Sequence, residues 1–415
     1  MYQKSVLSNG IRVVTEELSH VKSISFGVWF GTGSRFETEE NHGISHFLEH
    51  LVFKGTDRFT AQELAERVDA IGGQINAFTA KEYTCFYMKV LDHHLEFTAD
   101  LLANMLIHSK FQETDLEKER QVVLEELHMY EDAPEEMIHD LHLQQLWPQH
   151  ALGRNILGTK EAIERFNQSM LLAYYQARYQ PDNMVIAAAG HLQHEEVVRV
   201  VEKYFGALQG KAKAVEIKRP SYQAALKVEE KDTEQVHICV SFPSVTYLSP
   251  DIYNVHILNN LLGGSMSSRL FQSIREERGL AYSVYSYQTS YRDCGLFSVY
   301  AGTRPANAQE VLNLILTNWQ KLKSEKFSAQ ELEKSKEQLK GNLFLGLESS
   351  GSRMSRIGRN ELTLERFVSL EDVVAKIDAV TPKSLQHFLD TIHLADVSCT
   401  ALGPIQSLEI GKEFS

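Results

Sequence analysis

The sequence has few cysteines and no long apolar run. Its cysteines, at positions 85, 239, 294 and 399, lack Cys-x-x-Cys spacing, so we expect buried free thiols rather than disulfides or a thiolate metal site. No apolar segment approaches the roughly 20 residues that a membrane helix needs. The first residues turn polar at once and show no signal-peptide pattern. We therefore expect a cytoplasmic protein without membrane association.

The sequence also lacks an excess of basic residues. It has 42 Lys plus Arg against 55 Asp plus Glu, which gives a formal net charge of −13. Nucleic-acid binding depends on basic surfaces, so this balance argues against a nucleic-acid partner. The acidic balance suits basic peptides as partners, although solubility accounts for it equally well.

The stretch from His42 to Thr56 contains the pattern His46-x-x-Glu49-His50. On a helix, His46 and His50 lie one turn apart on the same face, so both imidazoles can reach one metal ion. Glu49 places a carboxylate beside this pair. Zinc lowers the pKa of a bound water from about 15.7 to about 7, and a nearby carboxylate can pass its proton to a leaving amine. The pattern is the inverse of His-Glu-x-x-His and predicts a catalytic metal site.

A catalytic zinc site needs a third protein ligand, and the run from Asp115 to Tyr130 is the strongest candidate for supplying it. This run has no Gly or Pro and predicts an uninterrupted helix. Glu119 and Glu126 lie two turns apart on one face of that helix, whereas Glu125 points about 100° away. We assign Glu126 as the third ligand and Glu119 as a second carboxylate near the site.

The length of 415 residues suits two domains of roughly 200 residues each. Residues 210–225 have the composition of a linker, which predicts domains at 1–209 and 226–415. The second half repeats the first, since residues 256–263 can be laid on residues 46–53. In that alignment Asn259 and Asn260 replace Glu49 and His50, so the second domain is expected to lack the metal site.

Strand and helix patterns alternate irregularly, which predicts an α+β fold. Asn9-Gly10 predicts a β-hairpin, residues 74–90 a bent strand or strand pair, and Met184–Gly190 a buried strand. We expect two similar domains from internal duplication, each a mostly antiparallel sheet with helices packed on one side.

The helical stretch that begins at residue 115 continues to residue 145, with an interruption at Pro134. It carries His139 and His142 beside acidic residues. We expect both histidines on a solvated helix surface.

The motif and the distal glutamates together resemble the pitrilysin/insulinase family of zinc metallopeptidases, over essentially the whole chain. The sequence around them is similar to that of the family branch containing the mitochondrial processing peptidase β subunit and its short bacterial relatives. The resemblance implies that His46, His50 and Glu126 bind one zinc ion per chain and that Glu49 is the general base. It also implies four related domains around a chamber, which a two-domain chain would reach most simply as a closed homodimer.

The resemblance also implies residues that contact the peptide substrate. Arg275 and Tyr282 match the family's Arg and Tyr that hold the substrate carbonyl, and in a homodimer we expect them to act on the other subunit's zinc. Asn76, Ala77 and Phe78 match the edge strand along which the family places its peptide. Strand addition takes affinity from main-chain hydrogen bonds, which predicts unfolded peptides or presequence-like segments as substrates.

The sequence thus predicts a zinc endopeptidase. Two alternatives stay open: a non-catalytic scaffold or recognition subunit, and a catalytic subunit that requires a different partner chain. Scaffold members of the family lose motif residues, whereas this chain keeps the metal ligands together with Glu49, Arg275 and Tyr282.

Overall fold

In the computed structural model, residues 1–325 and 327–411 are described. The first part of the chain contains β1 (Tyr2–Val6), β2 (Arg12–Glu17), β3 (Ser23–Phe30), α1 (Ile44–Val52), α2 (Ala61–Ala70), β4 (Gln74–Thr79), β5 (Thr84–Leu91), α3 (Leu95–His108), α4 (Glu113–Glu131), α5 (Pro134–Leu146), α6 (Lys160–Arg165), α7 (Gln168–Arg178), β6 (Met184–Gly190) and α8 (His194–Phe205). The remainder contains β7 (Leu226–Glu230), β8 (Val236–Ser244), α9 (Ile252–Leu262), β9 (Ala281–Ser290), β10 (Gly295–Thr303), α10 (Ala308–Ser324), α11 (Ala329–Gly346), α12 (Ser350–Leu364), α13 (Leu370–Asp378), α14 (Pro382–Asp390) and β11 (Ser398–Gly403).

The described chain divides into two compact units. Unit 1 comprises Met1–His128, Asn155–Ile217 and Leu345–Phe367, and unit 2 comprises Met129–Arg154 with the described residues of Lys218–Phe344 and from Val368 onward. These units differ from the continuous ranges 1–209 and 226–415 that the sequence predicts. The difference arises because each half of the chain contributes one helix, α5 or α12, to the unit built mainly from the other half.

Five strands of the sheet in unit 1 match the five-stranded sheet of unit 2 in topology, and only β1 has no counterpart, which supports internal duplication. The sheet of unit 1 has the order β1-β2-β6-β3-β5-β4, and that of unit 2 has the order β7-β11-β8-β10-β9. In each sheet one pair is parallel, β2 with β6 and β7 with β11, and the other pairs are antiparallel. Helix α1 packs on edge strand β4, and α9, which carries Asn259 and Asn260, packs on edge strand β9 in the same way. The predicted α+β class is confirmed.

Helices cover both faces of each sheet, so the prediction of helices on one side is wrong. In unit 1, α3 and α8 pack on one face of β2, β3 and β5. The other face is covered by α12, whose Met354 and Ile357 lie in a buried cluster with Trp29 and Val185. Because α12 arrives from more than 150 residues away along the chain, sequence patterns near the sheet do not reveal it.

A close approach fixes α12 against β3. The indole Nε1 of Trp29 contacts Sδ of Met354 at 3.4 Å, and a Cβ atom added to Gly358 would lie 2.5 Å from the same Nε1. Glycine at position 358 therefore lets the helix reach the indole ring. At the end of the helix, the buried carboxylate of Glu361 pairs with Nζ of Lys4 at 2.7 Å.

In unit 2, α5 covers the equivalent face of the sheet, and this overturns the expectation for His139 and His142. The His142 ring is buried, with Nδ1 2.8 Å from Oγ1 of Thr400 and Nε2 2.7 Å from Oγ of Ser241. His139 is partly buried, with Nδ1 2.7 Å from the hydroxyl oxygen of Tyr287. Both histidines face the sheet rather than solvent because α5 packs on β8 and β11.

This burial makes His142 a source of acid sensitivity. Burial, with a smaller effect from nearby His139, lowers the pKa of His142 from 6.5 to about 3. Below about pH 6.5 the unfolded chain binds a proton that the folded chain does not, so stability falls with pH at up to about 1.4 kcal/mol per unit. Between about pH 7 and about pH 5.5, urea unfolding should show a loss of about 1 kcal/mol in the wild type that His142→Gln lacks. Equal losses in both proteins would contradict this expectation.

No described helix is long and apolar enough to cross a membrane. All four cysteines are free thiols, as the sequence predicts, but only Cys85, Cys239 and Cys399 are buried, and Cys294 is partly exposed.

Candidate metal centre and active site

Helix α1 is anchored at its N-terminus by a buried carboxylate. Glu37 accepts hydrogen bonds from the backbone N–H groups of Gly43 and Ser45, at 2.8 and 2.9 Å. A negative charge at this end of the helix offsets the partial positive charge of the free N–H groups. Gly43 has a φ of 92°, and an added Cβ would lie 2.5 Å from the carbonyl oxygen of Leu157. Only glycine is suited to this entry into the helix.

His46, His50 and Glu126 come together as the sequence predicts. Their candidate ligand atoms all lie within 4.8 Å of one another, and no other such group of His, Cys, Asp and Glu occurs in the part of the chain that the structure describes. Oε2 of Glu126 lies 3.8 Å from Nε2 of His46 and 3.5 Å from Nε2 of His50. Two imidazoles and one carboxylate, with a fourth position left open, form the donor set of a catalytic zinc site. The residues therefore fit the metal.

Glu119 holds the second ligand in place. Its Oε2 lies 3.2 Å from Nδ1 of His50, while its Oε1 lies 2.7 Å from Nζ of Lys54. Because Glu119 accepts from Nδ1–H, the lone pair of His50 sits on Nε2, the nitrogen that faces Glu126. Burial raises the pKa of Glu119, but the hydrogen bonds to His50 and Lys54, together with the charges of these two residues, lower it by more than burial raises it. The net shift of the pKa is therefore downward. Glu119 thus remains an ionised acceptor behind the ligand.

The two histidines differ in their electrostatic surroundings. Burial above all, with the neighbouring His50, lowers the pKa of His46 to about 3, which keeps its imidazole neutral, the form that binds metals. Burial also lowers the pKa of His50, but its bond to Glu119 and the charges of Glu126, Glu119 and Glu49 outweigh this and raise it. Nδ1 of His46 is buried without a hydrogen-bond partner among residues 1–325 and 327–411.

Glu49 lies beside the triad and is held by a residue of the edge strand. The hydroxyl of Thr79 donates to Oε2 of Glu49 at 2.6 Å. Burial raises the pKa of Glu49 above its ordinary value, and the bond from Thr79 and the charge of His50 offset only part of that rise. A carboxylate with a raised pKa is closer to the value that suits a general base near neutral pH.

The predicted peptide-binding residues lie in β4, at the edge of the sheet of unit 1. On one side β4 pairs with β5, and its other side has no strand partner among the described residues. Asn76 is exposed, and its Oδ1 accepts from the N–H of Ala77 at 2.8 Å. The Phe78 ring packs edge-on against Trp29 at a centroid distance of 5.5 Å. Phe78 therefore anchors the strand, while Asn76 and Ala77 lie at its free edge.

The sequence of the chain matches models of a known protein family. The family model described as insulinase (peptidase family M16) matches residues 12–160, and the model described as the peptidase M16 inactive domain matches residues 165–339. The chain is 45% identical over 404 residues to the uncharacterized zinc protease YmxG of Bacillus subtilis, covering 97% of this chain and 98% of that protein. The chain belongs to the insulinase family, peptidase family M16.

Further relatives agree with this assignment. An uncharacterized zinc protease of Streptomyces coelicolor is 39% identical over 418 residues, covering 99% of this chain and 91% of that protein. A crystal structure of a protease from Helicobacter pylori has a TM-score of 0.90 at 24% identity, covering 97% of this chain and 99% of that one. A crystal structure of a peptidase M16 inactive domain from Pseudomonas fluorescens has a TM-score of 0.91 at 19% identity, with 99% of each chain covered. The solved structures show that the insulinase-family fold is shared.

Arg275 and Tyr282 lie in unit 2 of this insulinase-family chain, next to each other. Arg275 lies in a π-helical turn, Phe271–Glu276, and its guanidinium carbon is 5.1 Å from the ring centroid of Tyr282. Nε of Arg275 lies 3.8 Å from Oε1 of Glu276. Tyr282 is 80% exposed, so its ring belongs to no core. The structure thus brings the predicted pair together at an exposed surface, and their role in substrate binding remains a prediction.

Three residues of the site were not found from the sequence. Lys54 holds Glu119, Thr79 holds Glu49, and Glu37 anchors α1. Lys54 follows His50 by four residues but lies just beyond the end of α1 at Val52, so helical spacing indicates it only in part. Thr79 reaches Glu49 by tertiary packing, which no local pattern indicates, whereas Glu37 contacts residues only six and eight positions further along the chain.

Proposed function

We propose that this chain is a zinc-dependent endopeptidase that hydrolyses unfolded peptides. The observation that carries the proposal is the convergence of His46, His50 and Glu126 with Glu49 beside them. Two of these side chains are oriented for their tasks, since Glu119 fixes the tautomer of His50 and Thr79 fixes one oxygen of Glu49. We infer one zinc ion per chain, held by the two imidazoles and the Glu126 carboxylate. The cytoplasmic location remains a prediction.

The reaction is the addition of water to an amide bond. A zinc ion held by His46, His50 and Glu126 would supply Lewis acidity toward water and the substrate carbonyl. Glu49 accepts a proton as the water oxygen bonds to the carbonyl carbon, and it then delivers this proton to the amide nitrogen. The carbon–nitrogen bond breaks, leaving an amine and a carboxylic acid, and the acid gives its proton to the amine, so the products are a carboxylate and an ammonium group. The Arg275 guanidinium and Tyr282 hydroxyl are the proposed donors to the oxyanion of the tetrahedral intermediate, where one donor is worth about 2.7 to 4 kcal/mol.

The free edge of β4 supports extended peptides as substrates. A peptide strand added there would exchange main-chain hydrogen bonds with Ala77, whose N–H is now satisfied by the Asn76 side chain. Only a segment without internal strand or helix partners can offer its backbone in this way. Substrates are therefore unfolded peptides or presequence-like segments, and side-chain selection at this edge is weak.

We further propose that two copies form a closed homodimeric chamber in which Arg275 and Tyr282 act on the other copy's zinc. Tyr282 supports this because a phenol that is 80% exposed is available to a partner. Mixing Glu49→Gln chains with Tyr282→Phe chains should then restore cleavage, since one of the two sites in a mixed dimer keeps both groups. Mixtures that regain no activity would count against action across subunits.

Cleavage of peptides by the purified chain tests the proposed function. The metal-loaded protein should make internal cuts in short unstructured peptides and leave a folded domain intact. Chelation should abolish the cuts, and zinc should restore them. Products that persist after chelation would indicate a contaminant. No cleavage by the loaded protein would shift the weight to a scaffold, or to a catalytic subunit that requires another chain.

A further inference from the structure

Thr79 is the last residue of β4, the strand with which the proposed peptide substrate would pair. It also contacts Glu49, the proposed general base. Its hydroxyl donates to Oε2 of Glu49 at 2.6 Å. It lies in the same strand as Asn76 and Ala77, the residues at the free edge of β4. Glu49 lies on α1, which packs on β4. One hydrogen bond therefore joins the proposed peptide-binding strand to the proposed catalytic carboxylate.

The backbone around Thr79 is held on both sides, so its hydroxyl has a fixed position. Thr79 pairs with Thr84 of β5, and the next residue, Ala80, donates its N–H to the carbonyl of Tyr83 at 2.8 Å. The carbonyl of Ala80 accepts in turn from the N–H of Ser34 at 3.2 Å. The β-branched side chain of threonine has few χ1 rotamers, which further limits where the hydroxyl can lie. Thr79 can thus act as a rigid anchor.

Glu49 needs such an anchor because its carboxylate rotates easily. The terminal torsion of a glutamate side chain has broad minima, so a carboxylate without partners samples many orientations. Thr79 fixes Oε2 through a hydrogen bond to a charged acceptor, a strong class of hydrogen bond. Oε1 of Glu49 has no hydrogen-bond partner among the described residues. The bond thus reserves one oxygen for proton transfer and uses the other for orientation.

We propose that Thr79 is a positioning residue that orients Glu49 from the end of β4. This inference rests on the proposed peptidase function. Thr79 itself contacts no reacting atom. Its removal should slow the chemical step and leave peptide affinity unchanged, because the main-chain groups of Asn76 and Ala77 stay in place.

The kinetic test compares Thr79→Val with Thr79→Ser. Valine keeps the branched shape without the hydroxyl, and serine keeps the hydroxyl. Thr79→Val should lower kcat by about 10- to 100-fold, the size of effect expected when a catalytic group is displaced by about 1 Å. KM should stay within about twofold, and Thr79→Ser should keep most of the activity. A kcat for Thr79→Val within about twofold of the wild type would overturn the inference.

Measurements without turnover separate positioning from damage to the fold or the metal site. In the Glu49→Gln background, peptide affinity and zinc affinity by chelator competition should be the same with and without Thr79→Val. In the metal-free protein, Thr79→Val and Glu49→Leu should have non-additive effects on urea unfolding, because they remove the two ends of one hydrogen bond. Additive effects would overturn the inference even if the wild type cleaved no peptide. A wild type without cleavage but with non-additive unfolding would instead contradict the proposed function alone.

Discussion

Replacing Glu49 by glutamine is expected to lower kcat/KM for peptide cleavage by about 10²- to 10⁴-fold, the usual contribution of a general acid–base group. The amide of glutamine has nearly the size of the carboxylate and can still accept the hydrogen bond from Thr79 through its oxygen. It cannot take a proton from water. The loss should therefore appear in the chemical step, while the three metal-binding side chains stay unchanged.

The measurement pairs cleavage kinetics with metal content. Glu49→Gln should bind zinc as tightly as the wild type and should bind peptides without cutting them. Glu66→Gln is a suitable control, because Glu66 is exposed on α2 and accepts a hydrogen bond from Gln62 of the same helix. It should cleave at the wild-type rate. Wild-type cleavage by Glu49→Gln would place the general base elsewhere, and loss of zinc would assign Glu49 a role in the metal site.

The second large effect is expected in metal affinity, as a graded series along α4. Glu126→Gln removes a proposed ligand and should weaken zinc binding most. Glu119→Gln removes the negative charge behind His50 and leaves only a neutral amide oxygen as acceptor, so it should weaken zinc binding by about 10- to 100-fold, the effect expected when an outer partner of a metal ligand is changed. Glu125→Gln should change it least, because Glu125 is exposed on another face of the helix. All three substitutions exchange one carboxylate for an amide within one helix, so helix propensity and charge change equally.

Chelator competition with the purified variants would measure this series. The order of affinities should be Glu125→Gln above Glu119→Gln above Glu126→Gln. If Glu125→Gln lost zinc as Glu126→Gln does, a general charge effect of α4 would explain binding better than coordination. If Glu119→Gln fell below Glu126→Gln, the roles of ligand and supporting carboxylate would be exchanged.

The sequence was sufficient for those parts of the site that depend on helical spacing. His46 and His50 share one helix, and Glu119 and Glu126 share another, so the 3.6-residue period alone decides which side chains point together. Helical spacing does not show that the helix with Glu119 and Glu126 faces the helix with His46 and His50. That expectation depends on the family resemblance. Thr79 was missed because its contact with Glu49 depends on how β4 packs on α1.

The fold shows the same division between local and distant information. The hairpin at Asn9-Gly10 and the buried strand Met184–Gly190 follow from turn chemistry and apolar runs, and both were predicted correctly. The burial of His142 was not, since its neighbours Thr400 and Ser241 are distant in sequence. Acidic residues beside His142 on α5 indicate a solvent-exposed helix, but the face that carries His142 packs on β8 and β11. Periodicity identifies an apolar or polar face without identifying its partner.

The exchange of α5 and α12 between the halves of the chain has a consequence for synthesis on the ribosome. The sheet of unit 1 is complete once β6 has been made, yet the face with Trp29 and Val185 waits for Met354 and Ile357. While residues 191–349 are being synthesised, that face is an uncovered apolar surface. We therefore expect the nascent chain to expose this face until α12 emerges, and exposed apolar surface of this kind favours aggregation. Separating the halves at the linker would make this transient exposure permanent in both products.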